Sequence, residues 1–534
     1  MLSNMQIASS SNFRTRNDLQ LIAQALLKKR LDAVFGFSLF FATLTLYVRT
    51  LAPSLLEGDS AEFQTLAYTL GIGHPSGYPV YILLAKLFTL IPIHDIAYRV
   101  NLFSAFCAAL TVALIYLILR KLGARIIASI CGALALGVTP LFWKYASIAE
   151  VYSSSSACLV LIMLFVLQWK QTDRPYWLFL AGLLGGLSLG MHTTLALSGI
   201  SILFYLLLST RRAVDWAQAS LGVVTGLVLF LTCFLFLDSL QSPASYYNAA
   251  VRPSLSAWDM TSDDFDSPLE RLAFLYVLPQ FRAEIFSVPS DQVVTRIADF
   301  AREASWTLWF ALLGLIALIL PYKVSPARWR EAVLLGGAFL TLLTFAASSD
   351  VHDFRVLYIH AIVLLVILFG IGIDTILEAV TLIPRLPGFV PALAGVSIFM
   401  VLFYLSATDI SAAWRERMPP GLEGWERYYE FPADQRLKTE RVVNRLEDNA
   451  IVFTGWDKLY TFYYVAHVLQ GRTGIDFHET YPQEGLEQLA ASAIQYIEAN
   501  LDARPIYSTN RSPELANYFK LARAASGLFR IERK

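Results

Sequence analysis

The sequence predicts a polytopic α-helical membrane protein of about eleven spans, with a small soluble α/β domain at its C-terminus on the outer face. Three observations predict it. Of 534 residues, 56% are hydrophobic and only 16% charged, and the mean hydropathy of +0.52 exceeds what a soluble core requires. Apolar runs long enough to cross a bilayer, roughly 17–25 residues, recur along the chain. Lys and Arg collect in alternate loops between those runs, the pattern of cytoplasmic loops.

The runs lie near 33–51, 100–119, 126–142, 150–169, 176–191, 195–209, 218–238, 304–321, 332–347, 356–373 and 388–407. The basic groups are Arg14, Arg16 and Lys28 to Arg30; Arg120, Lys121 and Arg125; Lys170 and Arg174; Arg211 and Arg212; Lys323, Arg328 and Arg330; and Arg385. This alternation makes 1–32 a cytoplasmic N-terminal segment and 33–407 the membrane module. It puts the loops at about 52–99 and 239–303, and the tail 408–534, outside. Trp143, Trp177, Trp216, Trp306 and Trp329 fall at span ends, where an aromatic belt would anchor the helices. No small-residue cleavage site follows the first apolar run, so the N-terminus does not read as a cleaved signal peptide.

Within the first outer loop, Pro75, Gly77 and Pro79 divide two short apolar pieces, which predicts helix, turn, helix along the membrane surface. The tail changes composition. Ala450-Ile451-Val452-Phe453-Thr454 reads as a strand, Asp457 to Gln470 as a helix ended by Gly471, and Arg504-Pro505-Ile506-Tyr507-Ser508 as a second strand start.

Charge and cysteine usage narrow the function. With 42 basic and 42 acidic residues, nothing points to nucleic acid. Cys107, Cys131, Cys158 and Cys233 lie in apolar segments without zinc-ligand spacing, which argues against a disulfide framework or a zinc site.

The polar residues outside the spans are the candidate site. Asp59 and Glu62 are three apart, on one side of a helix start, where one carboxylate can take a proton from an attacking hydroxyl and the other orient the acceptor or a metal. The same spacing imitates a capping box that only satisfies free amides. His74, pushed extended by Pro75, can donate to a phosphate or a substrate hydroxyl, or simply close its own turn. His192 ends an apolar span in Leu189-Gly190-Met191-His192-Thr193-Thr194, where an imidazole needs a partner, in a substrate or in a neighbouring helix.

Lys144 and Glu150 share a very short outer turn, either paired with each other or turned to substrate. The segment Ser349-Asp350-Val351-His352-Asp353-Phe354-Arg355 is another short outer loop, and the planar fork of Arg355 suits a phosphate. His352 and Asp353 accompany it. The run Asp259, Asp263, Asp264 and Asp266 fits no calcium loop and reads as a solvated face. No cofactor is firmly predicted, and a divalent metal is compatible with the acidic groups.

Four of these segments carry a family likeness. Glu57-Gly58-Asp59-Ser60-Ala61-Glu62-Phe63, the Gly-His-Pro-Ser-Gly-Tyr-Pro turn from Gly73 to Pro79, Ala149-Glu150-Val151-Tyr152-Ser153 and Gly186-Leu187-Ser188-Leu189-Gly190-Met191-His192 resemble bacterial members of one GT-C glycosyltransferase family. It is the family that contains the eukaryotic transmembrane protein O-mannosyltransferase acting on plexins. In the tail, Asn449-Ala450-Ile451-Val452-Phe453-Thr454 and Asp457 are similar to the opening of that family's soluble domain, although Gly455-Trp456-Asp457-Lys458 stands where relatives often carry an Asn- and Asp-rich turn.

The resemblance implies transfer of mannose or another hexose or pentose from a polyprenyl-phosphate donor to an acceptor hydroxyl, with inversion at the anomeric carbon. It implies Asp59 as general base, with Glu62 as second choice. The acceptor would be a protein, lipid or glycan, and the membrane the bacterial inner one with the site on the periplasmic side. Physically, a lipid-linked donor needs a groove in the membrane, a carboxylate at its surface and cations for the leaving phosphate. Asp59, His74, Lys144, His192 and Arg355 all map to the outer surface. The rival readings are a lipid-linked sugar flippase or transporter, against which few ionisable residues lie in mid-span, and a noncatalytic membrane scaffold.

Overall fold

The computed structural model describes residues 2–277, 283–320, 328–351, 353–384, 387, 389–421, 426–482 and 488–534, with the side chains of 2–22, 25 and 306 excepted. Lys323, Arg385 and His352 lie outside the described residues, as do the side chains of Arg14, Arg16 and Trp306.

The chain runs through helices α1 (Leu2–Arg49), α2 (Gly58–Thr69), α3 (Pro79–Thr89), α4 (Ile96–Lys121), α5 (Ile126–Gly137), α6 (Pro140–Ala146) and α7 (Val151–Thr172). Next come α8 (Tyr176–Leu187), α9 (Leu195–Ser209), α10 (Ala213–Ser239), α11 (Pro268–Val277), α12 (Ser290–Ile319), α13 (Trp329–Ser348), α14 (Tyr358–Thr381) and α15 (Val390–Glu416). Among the described residues seven helices are long and apolar enough to cross a membrane, and up to nine if each of two bent pairs is one span. One bent pair is α5 with α6, which turn 66° about the Pro140 start of α6. Every one of the eleven apolar runs falls on a helix, four of them on bent or shorter helices.

The first outer loop forms α2 and α3 with a tight turn between, as its prolines and glycines predict. The segment expected as a loop at 239–303 holds, in its described residues, short helical turns from Tyr247 to Phe265, then α11 and the start of α12. In it Asp263 and Asp264 are solvent-exposed, and Asp264 closes a capping box with Thr261. The last span continues to Glu416, beyond the expected end at 407.

The tail holds α16 (Glu426–Glu430), α17 (Asp434–Val443), β1 (Ile451–Thr454), α18 (Trp456–Tyr463), β2 (Asp476–Glu479), α19 (Ala491–Asn500), β3 (Ile506–Ser508), α20 (Pro513–Tyr518), β4 (Lys520–Ala525) and β5 (Leu528–Glu532). The sheet order is β2-β1-β3-β5-β4. β1 is parallel to both neighbours and wholly buried, whereas β5 is antiparallel to β3 and β4. The helix expected up to Gly471 is present, passing from α18 into a wider π-turn over Tyr464–Leu469.

The tail does not stand apart from the membrane module. Phe63, Tyr81 and Val100 of the first outer loop and α4 share one buried cluster with Tyr460 and Phe477 of the tail. Thr65 Oγ1 donates to the Tyr460 carbonyl at 3.0 Å, and the Ala97 amide donates to Tyr464 Oη at 2.9 Å. At the opposite end of the bundle the loop cations meet acids: Arg120 with Asp32, Arg125 with Asp374, and Arg212 with Asp173 and Asp215.

One sequence expectation fails on the tryptophans. Trp143 is fully buried and its Nε1–H donates to Thr50 Oγ1 at 2.8 Å. It ties α6 to the end of α1 because the bend after α5 folds α6 back into the bundle, so it is no interfacial anchor. Trp329 remains 41% exposed.

Helix contacts in the membrane module use glycine where backbones touch. A Cβ added at Gly222 would lie 2.1 Å from the Phe179 carbonyl oxygen, and one at Gly226 would lie 2.3 Å from that of Leu183. The Gly222/Gly226 pair of α10 thus meets the Gly182/Gly186 pair of α8 at small-residue spacing. Gly222→Ala is expected to force the helices apart and cost about 1–3 kcal/mol, read as an earlier melting transition of the purified protein.

Candidate active site

The turn after α2 creates the first half of the site. Gly77, at φ +77°, returns its carbonyl to the Gly73 amide at 3.1 Å, and this folds His74 back over α2. There Glu62, fully buried, accepts from the His74 amide at 2.8 Å and from His74 Nδ1 at 2.5 Å. Glu62 therefore does not cap its own helix; the residue before α2, Glu57, makes no side-chain cap. Burial opposes charge on His74, but the Glu62 and Asp59 carboxylates outweigh it and hold the imidazole up at about 9, a cation at neutral pH. Its Nε2 lies 3.2 Å from Tyr78 Oη, which donates to the Pro75 carbonyl at 3.1 Å.

Asp59, one turn earlier and partly exposed, accepts from Trp456 Nε1–H at 3.0 Å across 397 residues of chain. Glu150, just before α7, receives Ser60 Oγ at 3.4 Å. Burial, then the Asp59 charge, pushes its carboxyl well up despite the opposing His74 cation. Glu479 closes β2 and is buried, and burial followed by Glu62 and Asp457 pushes it up to about 8.

Linkage has one sign for both raised groups. The His74 contribution to stability is complete below its ordinary 6.5 and is lost as pH rises through about 9; that of Glu479 is complete below 4.5 and lost through about 8. The melting temperature is therefore expected to fall from pH 6.5 to 9. Glu479→Gln should flatten the fall, and an unchanged slope in that variant would contradict the assignment.

Behind this cluster lies a second one. His192 is buried with Nδ1 2.7 Å from Thr194 Oγ1, and burial, then the His74 charge, lowers it to about 4, so it is a neutral imidazole. Its ring packs 5.4 Å from Tyr152 and 5.6 Å from His360, and Tyr152 packs 5.2 Å from Tyr145. Tyr145 Oη donates to Asp353 Oδ2 at 2.7 Å.

Tyr145 and Asp353 also line a cavity of about 1090 Å³ between α1, α5, α14 and α15. Leu46, Leu134, Ile362, Leu365, Phe399 and Leu402 are among its apolar walls, whereas Lys144, Asp353, Arg355 and Glu303 line its polar part. Among the described residues Arg355 reaches Glu303 only at 3.9 Å, and at 67% exposure its fork of donors is accessible to a ligand.

The fold thus gathers Asp59, Glu62, His74, Glu150 and His192 on one side, and Lys144, Asp353 and Arg355 at the cavity. Tyr145 stands between them, within electrostatic reach of both Asp353 and Asp59. Sequence reasoning passed over Trp456, Tyr145, Tyr152, His360 and Glu479. The available signal in the tail was the departure at Gly455-Trp456-Asp457-Lys458; the spacing of Trp456 to Tyr460 is that of one helix face and does not tell a site residue from core packing. Among the described residues no three His, Cys, Asp or Glu side chains are grouped as a metal would require.

The arrangement of a helical membrane module against a small C-terminal sheet module is a fold of the GT-C type, shared with ArnT. ArnT from Cupriavidus metallidurans, solved bound to undecaprenyl phosphate, superposes with a TM-score of 0.57 at 14% identity, over 93% of this chain and 97% of that one. Its apo state gives a TM-score of 0.58 at 14% identity, over 93% and 98%. The family likeness is narrower than the fold. Residues 59–217 match the family model described as the protein O-mannosyl-transferase TMEM260 N-terminal domain, a span that contains Asp59, Glu62, His74, Lys144, Glu150 and His192. Protein O-mannosyl-transferase TMEM260 of Mus musculus is 29% identical over 220 residues, 40% of this chain and 31% of the mouse protein. The Dictyostelium discoideum protein O-mannosyl-transferase tmem260 is 23% identical over 362 residues, 62% and 42%. The matched region is less than half the length of either relative.

Proposed function

We propose that this protein is a membrane glycosyltransferase that moves a hexose or pentose, mannose among them, from a polyprenyl-phosphate carrier to an acceptor hydroxyl. The carrying observation is the cavity, whose apolar walls suit an isoprenoid chain and whose polar part presents Lys144 and Arg355 to a phosphate. The likeness to an undecaprenyl-phosphate-binding fold and to named protein O-mannosyl-transferases supports the same reading, with a protein as the favoured acceptor. Asp59 accepts the hydroxyl proton as the acceptor oxygen bonds to the anomeric carbon from the face opposite the phosphate. The bond from that carbon to the phosphate oxygen breaks, and the carrier phosphate leaves as an anion. A leaving group that is already an anion needs no general acid, so one base suffices. Glu62, held by His74, orients the turn, and neutral His192 is a hydrogen-bonding partner for the sugar. The site belongs on the outer, periplasmic face of a bacterial inner membrane, since the loop cations gather at the other end.

The test is sugar transfer from a panel of radiolabelled polyprenyl-phosphate sugars by the purified protein in nanodiscs, beside Asp59→Asn. Transfer that depends on Asp59 supports the reading; equal background across the panel in both proteins would return the flippase and scaffold readings to the front. Within that assay Arg355→Ala is expected to raise KM for the donor about tenfold with kcat nearly unchanged, the signature of lost ground-state phosphate binding.

A further inference from the structure

We propose that Trp456, carried by the C-terminal sheet module, is a positioning residue for Asp59, so that the extramembrane module completes the active site. The inference rests on the glycosyltransferase reading above. Trp456 opens α18 directly after β1, through Gly455. In the strand order β2-β1-β3, the chain crosses from one side of β1 to the other, and the crevice at the carboxyl ends of such strands is where ligands meet an α/β sheet. Here that edge faces α2, and the indole enters the turn that carries Asp59.

The indole is held from three sides. The rings of His74, Tyr246 and Tyr460 stand edge-on to it at 5.8, 5.9 and 5.4 Å. An indole N–H donates only, so its 3.0 Å bond to Asp59 Oδ1 commits one carboxylate oxygen and leaves Oδ2 to the acceptor hydroxyl. Asp59 sits in the first turn of α2, half-buried, after a Glu57 that makes no side-chain cap. The bonds from Thr65 to the Tyr460 carbonyl and from the Ala97 amide to Tyr464 tie α18 and the π-turn after it to α2 and α4, and so fix where Trp456 meets α2. A ring that only filled space would need no donor aimed at the base.

Trp456→Phe keeps the aromatic packing and removes the donor. Its kcat is expected to fall about 10- to 100-fold, the usual scale for loss of a group that orients a reacting one. KM for the lipid donor should stay at the wild-type value, because Lys144 and Arg355 are untouched, and Asp59→Asn combined with Trp456→Phe should be no slower than Asp59→Asn alone. Wild-type kcat in Trp456→Phe, or an equal loss in KM and kcat, would overturn the positioning role. A readout independent of transfer is the melting temperature of Asp59→Ala, Trp456→Phe and their combination. A shared bond makes the combined shift smaller than the sum of the two, whereas strictly additive shifts would show that the two side chains do not interact and would sink the proposal. If the wild type transfers no sugar at all, the function reading falls, and the melting cycle still decides whether Trp456 holds Asp59.

Discussion

Asp59→Asn is expected to bind the lipid donor as the wild type does and to transfer its sugar about 10²- to 10⁴-fold more slowly, the contribution of a positioned general base. The substitution suits the geometry. Asparagine has the shape of aspartate and keeps an oxygen that can accept from Trp456 Nε1–H at the 3.0 Å position, so packing at the start of α2 survives. What it loses is the capacity to take a proton. Single-turnover transfer with saturating donor isolates that step. Glu62 cannot substitute, since it is fully buried and both its oxygens are bound by His74. Transfer by Asp59→Asn within threefold of wild type would assign the base elsewhere.

His74→Ala is expected to cost stability rather than only rate, by about 3–5 kcal/mol, because it leaves the Glu62 carboxylate uncompensated in a buried place. The Glu62 side chain has no exposed surface and that of His74 only 13%, so solvent cannot replace the lost partner. The double variant His74→Ala with Glu62→Gln removes the stranded charge and should recover most of the loss in melting temperature. If the double variant melts no higher than His74→Ala, the damage lies in the turn itself and the ion pair is not what stabilises it.

The lipid-crossing architecture was legible because backbone groups in hydrocarbon must be satisfied internally, and long continuous apolar runs can do so only as helices. The cluster of Asp59, Glu62 and His74 was legible because it is local, within 16 residues, and punctuated by Gly77 and Pro79. The roles inside that cluster were not. A carboxylate three residues after another serves equally for capping and for chemistry, and only the return of the Gly73–Pro79 turn over α2 decided that Glu62 is spent on His74. Trp143 misled for the same reason: a tryptophan at the end of an apolar run anchors or packs according to whether the next helix folds back.

By itself, then, the sequence determined a membrane-spanning helical module and a small α/β tail. It did so through periodicity, run length and local turns, all of which act over short stretches of chain. Only the tertiary structure decided that Trp456 reaches Asp59, that Tyr145 joins Asp353, and that α1, α5, α14 and α15 enclose the cavity. Those contacts join residues hundreds of positions apart, and packing that buries apolar surface between distant segments leaves no periodic trace in either one.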